Sequence, residues 1–313
     1  MKKTLITLLT LVLMHCASAR MFTPDYGYQV HEIKVNDLNI GYIDEGEGPQ
    51  TIIFLHGLGG YIKHWQPTLD TLTHHYRCIA VDLPGYGYSQ NGDLTARLGD
   101  QNILKFFGET VFALMDSLQI DQAVLAGHSM GGQTAILMAL RHPQRVSSLV
   151  LASPAGFETF TPQEGAALAP YSTPEFLKNQ NEQAIRQSFA LNFHEEMPPG
   201  AEDLIQDRLD LRSTPLMDHY VNVVSAGVRG MLQAPVFDKL SALQMPVLIA
   251  YGDGDKLIPN RYLHPTLTTR KVAEQGAGEI PNSTLVMIPE AGHMMPFEKP
   301  AEFATTVIKF LNE

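Results

Sequence analysis

Short apolar runs and helix-forming stretches alternate along most of this chain. The helical patterns cover residues 100–118, 129–141 and 300–311. Continuous apolar runs suit strands buried on both faces, and parallel strands need long, usually helical connections. The alternation therefore predicts an α/β fold, a mostly parallel sheet with helices on both faces. The predicted buried strands lie at 51–55, 78–81, 123–126, 148–152, 247–251 and 284–288.

The stretch before the first buried strand has a different pattern. Residues 28–45 alternate between apolar and polar positions and carry Asn36 and Asp37 in the middle. Alternation around such a pair is typical of an antiparallel hairpin, because both residue types tolerate the backbone of a tight turn. We therefore expect antiparallel N-terminal strands at one edge of the sheet.

The alternation stops between residues 157 and 238. This stretch is rich in proline, aromatic and charged residues, and helical patterns recur at 175–191 and 201–211. We expect an inserted helical cap at 157–238, flanked by the core segments 20–156 and 239–313. Its twelve acidic and five basic residues give a net charge of −7, which is over half of the chain's total of −11.

Composition narrows the class of protein. The 313 residues are 44% hydrophobic and 18% charged, which fits a globular protein long enough for a core with an insertion. The formal net charge of −11 disfavours nucleic acids and anionic membrane surfaces as partners. The adjacent pair His74-His75 lacks the spacing of a metal site, and we expect neither a metal nor a cofactor.

The first nineteen residues resemble a targeting segment. Lys2 and Lys3 precede a short apolar stretch, and an Ala-Ser-Ala cleavage signal ends at Ala19. We expect residues 1–19 to be a signal peptide that directs the protein to the periplasm or the medium, with no membrane span after cleavage. The alternative is an uncleaved anchor. Lipid attachment at Cys16 is disfavoured, because His15 replaces the small residue expected before a lipidated cysteine.

A Gly-x-Ser-x-Gly pattern occupies residues 127–131, with Ser129 at its centre. It stands between an apolar run and a helical pattern. A serine hydroxyl is a weak nucleophile, and a sharp strand-to-helix turn projects it towards a histidine that can activate it. The glycines leave room for neighbouring backbone. Ser129 is therefore the candidate nucleophile.

Two later strands precede candidate partners for Ser129. Asp253 and Asp255 follow the strand predicted at 247–251, and His293 follows the one at 284–288. Open α/β sheets form their sites beyond the carboxyl ends of strands, so these side chains can meet Ser129. A serine nucleophile needs a base and a carboxylate that orients it. His293 is the candidate base, and Asp255 or Asp253 is the candidate acid.

Together these motifs resemble the α/β-hydrolase fold superfamily, and within it capped serine hydrolases of the esterase-, dehalogenase- and epoxide-hydrolase-like group. The resemblance extends from about residue 29 to 311. The family order along the chain is nucleophile, acid and histidine, as here. The matching motifs are HGLGG at 56–60, DLPGYGYS at 82–89, GHSMG at 127–131 and GH at 292–293.

The resemblance implies roles by position. Asp255 is the fourth residue of a Gly-x-x-Asp, where this group carries its acid, and is favoured over Asp253. The backbone N–H groups of Leu58 and Met130 would form the oxyanion hole. Trp65 is a candidate for the substrate pocket, with a role in the core as the alternative. The cap residues that line the pocket are not identifiable from the sequence.

The nucleophile selects among the reactions of the group. Relatives that open epoxides or displace halide use an aspartate at this position, whereas a serine suits acyl transfer. We therefore predict a carboxylesterase-like hydrolase of small or medium uncharged esters, with a small-molecule ester as its partner. The oligomeric state stays open. The acidic cap disfavours polyanionic substrates, although salt screens that repulsion.

Four alternatives remain open from the sequence. Hydrolases of carbon–carbon bonds in ring-cleavage products share the serine triad, but usually carry asparagine at the position of His128. Prolyl aminopeptidases share it too, but typically carry a different glycine loop. Cofactor-free perhydrolases also share it. The last alternative, from another class, is a non-catalytic binding protein with the same fold.

Overall fold

The computed structural model describes residues 22–313. The predicted signal peptide at 1–19 and the possible lipidation site at Cys16 lie outside the described residues. Among those that are described, no helix is both long and apolar enough to cross a membrane.

The centre of the fold is an eight-stranded sheet in the order β1-β2-β4-β3-β5-β6-β7-β8. β2 runs antiparallel to both β1 and β4, and the remaining pairs are parallel. This arrangement confirms the predicted mostly parallel sheet with antiparallel N-terminal strands. The strands are β1 His31–Val35, β2 Leu38–Glu45, β3 Thr51–Leu55, β4 Arg77–Val81, β5 Ala123–His128, β6 Val146–Ala152, β7 Val247–Gly252 and β8 Ser283–Ile288.

Helices follow the parallel strands, as crossover connections require. The predicted helix at 300–311 has the observed bounds. The helix predicted at 100–118 begins three residues later and ends one residue earlier, and the one predicted at 129–141 begins one residue later. The helices of the described chain are α1 Gln66–Leu72, α2 Leu94–Leu98, α3 Ile103–Ser117, α4 Met130–Arg141, α5 Pro162–Leu168, α6 Pro174–Lys178, α7 Glu182–Ala190, α8 Ala201–Arg212, α9 Leu216–Gln233, α10 Thr269–Glu279, α11 Met295–Glu298 and α12 Pro300–Leu311.

The N-terminal hairpin turns where the sequence predicts. Asn36 and Asp37 both have positive φ, 48° and 63°. Two successive left-handed residues form the type I′ turn, whose twist matches that of the paired strands. Val35 pairs with Leu38 across this turn. The hairpin places β2 beside β4 at one edge of the parallel sheet.

The sheet is buried on both faces. Ile53 and Leu55 of β3 face one apolar cluster, whereas Ile52 and Phe54 face another on the opposite side. Successive strand residues point to opposite faces, so a continuous apolar run fills both cores. This burial explains why the strands read as unbroken apolar runs rather than as alternating patterns.

Five helices, α5 to α9, lie between β6 and β7. The helix predicted at 175–191 is two helices, because Asn181 begins a new one at Glu182 by accepting a hydrogen bond from the Ala184 N–H. The sequence pattern did not reveal this helix start at Asn181, since the apolar spacing continues through it. We call the segment 157–238 the cap below. Its status as a separate domain stays a prediction.

Candidate active site

Ser129 stands at the sharp turn between β5 and α4. Its backbone has φ 53° and ψ −116°, a conformation that non-glycine residues rarely adopt. A methyl group on Gly127 would lie 2.4 Å from the Gly131 carbonyl oxygen, so the turn tolerates only glycine there. The Ser129 N–H donates to Ala152 O at 3.0 Å, which fixes the turn against β6. The side chain is half-buried.

His293 and Asp255 form a buried pair. His293 Nδ1 lies 2.8 Å from Asp255 Oδ2, and both residues are almost completely inaccessible to solvent. The other carboxylate oxygen of Asp255 accepts the N–H groups of Leu257 and Ile258 at 2.8 and 2.9 Å. Nδ1 is therefore the donor to the carboxylate, and Nε2 is left to accept a proton.

Asp253 has a different partner. Its Oδ1 accepts the N–H of Glu290 at 2.9 Å, which joins the loop after β7 to the loop after β8. The carboxylate that contacts His293 is that of Asp255. The geometry thus distinguishes two acids that stand two residues apart in the sequence.

His128 links the turn at Ser129, called the serine turn, to the loop at residues 289–294, called the histidine loop. Its Nε2 donates to the carbonyl oxygen of His293 at 2.9 Å, and the two rings lie 4.9 Å apart. Burial lowers the pKa of His128 to about 3, so the ring is neutral and keeps this donor role. No hydrogen bond joins Ser129 Oγ to His293 within residues 22–313. The structure therefore brings the acid and base into direct contact, and brings the nucleophile next to them through His128.

The loop at residues 56–60, called the oxyanion loop below, follows β3. Its Gly60 N–H donates to Gly57 O at 3.1 Å and closes a tight turn. A methyl group on Gly57 would lie 3.3 Å from Ser129 Cβ, so the loop adjoins the nucleophile. The side chains of Leu58 and Met130 meet at Gly227 of α9, where a methyl group would lie 2.7 and 3.1 Å from them. The side chains of the two residues proposed to supply the oxyanion donors thus lie beneath the same point of the cap.

His56 fixes this loop on the core. Its Nε2 accepts the Leu83 N–H at 3.1 Å, and its Nδ1 donates to Gly57 O at 2.8 Å. Burial lowers its pKa to about 4, so the ring stays neutral in this arrangement. Just beyond the loop, the Ile62 N–H donates to Asp82 Oδ1 at 2.8 Å. The first residue of the oxyanion loop and the chain just beyond the loop are therefore both attached to the segment that follows β4.

Three residues at the site make contacts that the sequence did not predict. Arg208 and Tyr220 of the cap donate hydrogen bonds to Gly59 O. Glu298 accepts the Gly292 N–H at 2.5 Å and so holds the histidine loop. A carboxylate five residues after His293 is a signal the sequence offers for Glu298. No local pattern marks the two cap residues, because their role depends on tertiary contact.

Trp65 lies in the core. It is 1% exposed, and its ring packs against Phe54 and Phe303 with centroids 5.2 and 6.1 Å away. Two clefts open beneath the cap, and Trp65 and Ser129 line neither of them. One cleft is lined by Phe22, Gly59, Gly60, Tyr61, Gly87, Arg208, Leu211 and Tyr220. The other lies beside it, towards the loop at 85–92 and the start of α9.

No cluster of histidine, cysteine or carboxylate side chains suited to a metal ion occurs in the part of the chain that the structure describes.

The candidate groups share one edge of the sheet. Ser129, Asp255 and His293 each lie just beyond the carboxyl end of a parallel strand, where open α/β folds bind their ligands. The family model for the alpha/beta hydrolase fold matches residues 50–300. This protein belongs to that family.

Curated relatives carry several activities. The chain is 28% identical to the dihydrolipoyllysine-residue acetyltransferase component of the acetoin cleaving system of Cupriavidus necator, over 88% of this chain and 67% of that protein. It is 30% identical to a 2-hydroxy-6-oxononadienedioate/2-hydroxy-6-oxononatrienedioate hydrolase of Burkholderia vietnamiensis, over 88% and 91%. It is 31% identical to a pimeloyl-[acyl-carrier protein] methyl ester esterase of Pectobacterium atrosepticum, over 85% and 96%.

A solved structure shares the whole fold. A probable hydrolytic enzyme of Pseudomonas aeruginosa is 25% identical, with a TM-score of 0.80 over 92% of this chain and 96% of that one. The chain spans about two thirds of the acetyltransferase components that it matches, 65% in the protein of Pseudomonas putida. The alpha/beta hydrolase fold is thus shared by relatives whose named activities and substrates differ.

Proposed function

We propose that this protein is a serine hydrolase that cleaves a carboxylic ester through an acyl-enzyme. The observation that carries the proposal is the buried hydrogen bond of 2.8 Å between His293 Nδ1 and Asp255 Oδ2, beside a serine held at positive φ. Such a carboxylate fixes the tautomer in which Nε2 serves as the base. The favoured substrate is a small or medium uncharged ester.

The proposed reaction has two halves. Ser129 Oγ attacks the ester carbonyl carbon while His293 Nε2 takes the hydroxyl proton. The carbonyl oxygen becomes an oxyanion that the N–H groups of Leu58 and Met130 would stabilise. The carbon–oxygen bond to the alcohol breaks, and His293 returns the proton to the leaving alkoxide. Water then attacks the acyl-enzyme with His293 as base, which releases the acid and restores Ser129.

The start of α4 supports the role of Met130. Its N–H belongs to the first turn of a twelve-residue helix, where unpaired N–H groups and the helix dipole favour negative charge. The oxyanion would therefore form at a helix N-terminus that directly follows the nucleophile. This arrangement needs no polar side chain at residue 130.

Covalent labelling tests the nucleophile. We expect a fluorophosphonate probe to label the wild type on Ser129, and Ser129→Ala to lose labelling and ester turnover while remaining folded by circular dichroism. Ser117→Ala is the matched control, since Ser117 is exposed on α3. Labelling of Ser129→Ala at wild-type level, or retention of most of its activity, would refute the mechanism.

A second candidate is cleavage of a carbon–carbon bond, because one of the relatives is a hydrolase of that kind. Its named substrates are dianions, which the acidic cap disfavours. His128 also stands where such hydrolases usually carry asparagine. A panel of aryl esters of increasing acyl length, with amides and ring-cleavage products alongside, separates the two. Faster turnover of a ring-cleavage product than of every ester would favour the second candidate.

We also propose that the protein is exported, because residues 1–19 have the pattern of a signal peptide. The mature chain should then begin at Arg20. Mass spectrometry of the protein recovered from periplasm and medium measures this directly. An intact Met1 in the cytoplasmic fraction would contradict export.

A further inference from the structure

The carbonyl oxygen of Gly59, in the oxyanion loop, accepts two hydrogen bonds from the cap. Arg208 Nη2 of α8 donates at 2.7 Å, and the Tyr220 hydroxyl of α9 donates at 3.0 Å. Both bonds are long-range contacts, made by residues about 150 positions away in the sequence. Two cap helices therefore converge on one backbone atom of the core.

Arg208 is committed to this contact. Its guanidinium lies over the Tyr220 ring at 4.5 Å and near the Phe189 ring at 5.7 Å. No carboxylate forms a salt bridge with it anywhere in residues 22–313. A cation with aromatic neighbours gains from each of them, and its hydrogen bond to a neutral oxygen is strengthened by the charge. Gly59 O is thus the directional partner of Arg208.

The peptide bond between Gly59 and Gly60 is held at both ends. The cap holds its carbonyl, and Gly57 O holds its N–H at 3.1 Å. Gly59 has φ +69°, and a methyl group there would lie 2.7 Å from the Tyr220 hydroxyl. The left-handed backbone and the close approach both require glycine. The cap contacts and the turn that carries Leu58 therefore form one bonded unit.

Asp207, the residue before Arg208, fixes α8 over the same loop by two hydrogen bonds. Asp207 Oδ2 accepts the Tyr61 hydroxyl at 2.7 Å and Lys63 Nζ at 2.8 Å. These bonds attach α8 to the segment just after the oxyanion loop. Arg208, the next residue on the helix, is thereby aimed at Gly59 from a fixed position.

We propose that Arg208 and Tyr220 are positioning residues that orient the oxyanion loop, so that docking of the cap completes the oxyanion hole. The inference rests on the proposed function, in which Leu58 N–H stabilises the oxyanion. An oxyanion donor acts only when it points at the place where charge develops. Loss of the Gly59 contacts would let the turn rotate, which weakens transition-state binding more than substrate binding.

The test compares four variants. Arg208→Met keeps much of the side-chain volume without the donors, and Tyr220→Phe removes only the hydroxyl. Arg208→Lys restores a cationic donor. Arg212→Met is the matched control, because Arg212 is exposed one turn further along α8. Ester hydrolysis gives kcat and KM, and hydrogen exchange read by mass spectrometry reports on the backbone at 56–62.

We expect Arg208→Met to lower kcat by about tenfold to a hundredfold with KM within about twofold, as small misplacements of catalytic groups do. Tyr220→Phe should lower kcat by a smaller factor. Both should speed exchange at 56–62, Arg208→Lys should recover part of each effect, and Arg212→Met should match the wild type. If Arg208→Met raises KM and spares kcat, then Arg208 binds substrate and the proposal is wrong.

The exchange measurement separates this proposal from the proposed function. If the wild type hydrolyses no ester, the proposed function fails. The exchange data still decide whether the cap orders the loop. If both Arg208→Met and Tyr220→Phe exchange backbone hydrogens at 56–62 at the wild-type rate, the inference is overturned, whatever the activity.

Discussion

The acid–base pair and the oxyanion loop lie on opposite sides of Ser129 and are held in different ways. Asp255 receives its supporting hydrogen bonds from Leu257 and Ile258, which belong to its own loop. The oxyanion loop receives the two bonds to Gly59 O from helices of the cap. Asp255 is held by backbone N–H groups of its own loop, whereas the oxyanion loop takes two further bonds from a distant part of the chain.

This difference has a physical consequence. A loop closed by its own N–H groups keeps its geometry when neighbouring elements move, because the bonds break only if the loop itself opens. A loop held by another element follows that element. We therefore expect changes in the cap to act on oxyanion stabilisation, and changes in the acid to act on proton transfer.

The largest effect is expected at the acid. Asp255→Asn should lower kcat by about ten thousandfold, because an amide cannot hold His293 in the tautomer with Nδ1–H towards it. Asp253→Asn keeps an acceptor oxygen for the Glu290 N–H and should cost far less. Steady-state kinetics on one ester substrate measures both. A larger loss for Asp253→Asn would mean that Asp253, and not Asp255, is the acid.

A smaller effect is expected at Glu298, where the loop that carries His293 meets the cap. Its carboxylate accepts the Gly292 N–H of the histidine loop at 2.5 Å and the His194 N–H of the cap at 2.8 Å. Glu298→Gln keeps one acceptor oxygen, so one N–H loses its partner. We expect a loss of about 1–3 kcal/mol in the free energy of unfolding and a severalfold lower kcat.

Urea unfolding and ester kinetics measure these two quantities. Glu302→Gln is the control, since Glu302 is exposed on α12 and the same chemical change there breaks no contact of the histidine loop. If Glu298→Gln reduced kcat more than Arg208→Met, the histidine loop would depend on outside support more than the oxyanion loop does. The histidine loop, and not the oxyanion loop, would then be the one that relies more on distant contacts.

Much of the core was predictable because its information is local. The unbroken apolar runs at β3 and β5 predicted strands buried on both faces, and the structure has them there. The pair Asn36-Asp37 predicted its turn through the backbone that these residues tolerate. The strand-to-helix turn at Ser129 could be inferred from the flanking patterns. In each case a residue's own conformational preference agrees with the fold.

The rest depends on contacts that no local pattern records. Arg208 and Tyr220 carry no motif, and their shared acceptor lies in another part of the chain. The break at Asn181 is hidden by apolar spacing that continues across it. Trp65, a candidate for the pocket, packs in the core, because an aromatic residue suits both places and tertiary structure decides between them. The choice between Asp255 and Asp253 rested on the family resemblance until geometry separated them.

A pH-dependent effect on stability is expected at His128, which joins the serine turn to the histidine loop. Burial lowers its pKa to about 3 in the folded state, below the ordinary value of 6.5. Between about pH 3 and 6.5, His128 therefore binds a proton in the unfolded chain but not in the folded chain. This contribution to stability is fully present above about pH 6.5 and is lost as the pH falls towards 3.

His128→Asn removes this titration. Relative to the variant, the wild type should lose about 1.4 kcal/mol in the free energy of unfolding per pH unit between about pH 6 and 4. Urea unfolding of both proteins across this range measures the difference, in which the other titrating groups common to both proteins cancel. Parallel profiles would mean that His128 becomes protonated without unfolding. The bond from Nε2–H to His293 O would then not require a neutral ring. The serine turn and the histidine loop would be joined less rigidly than the buried contact suggests.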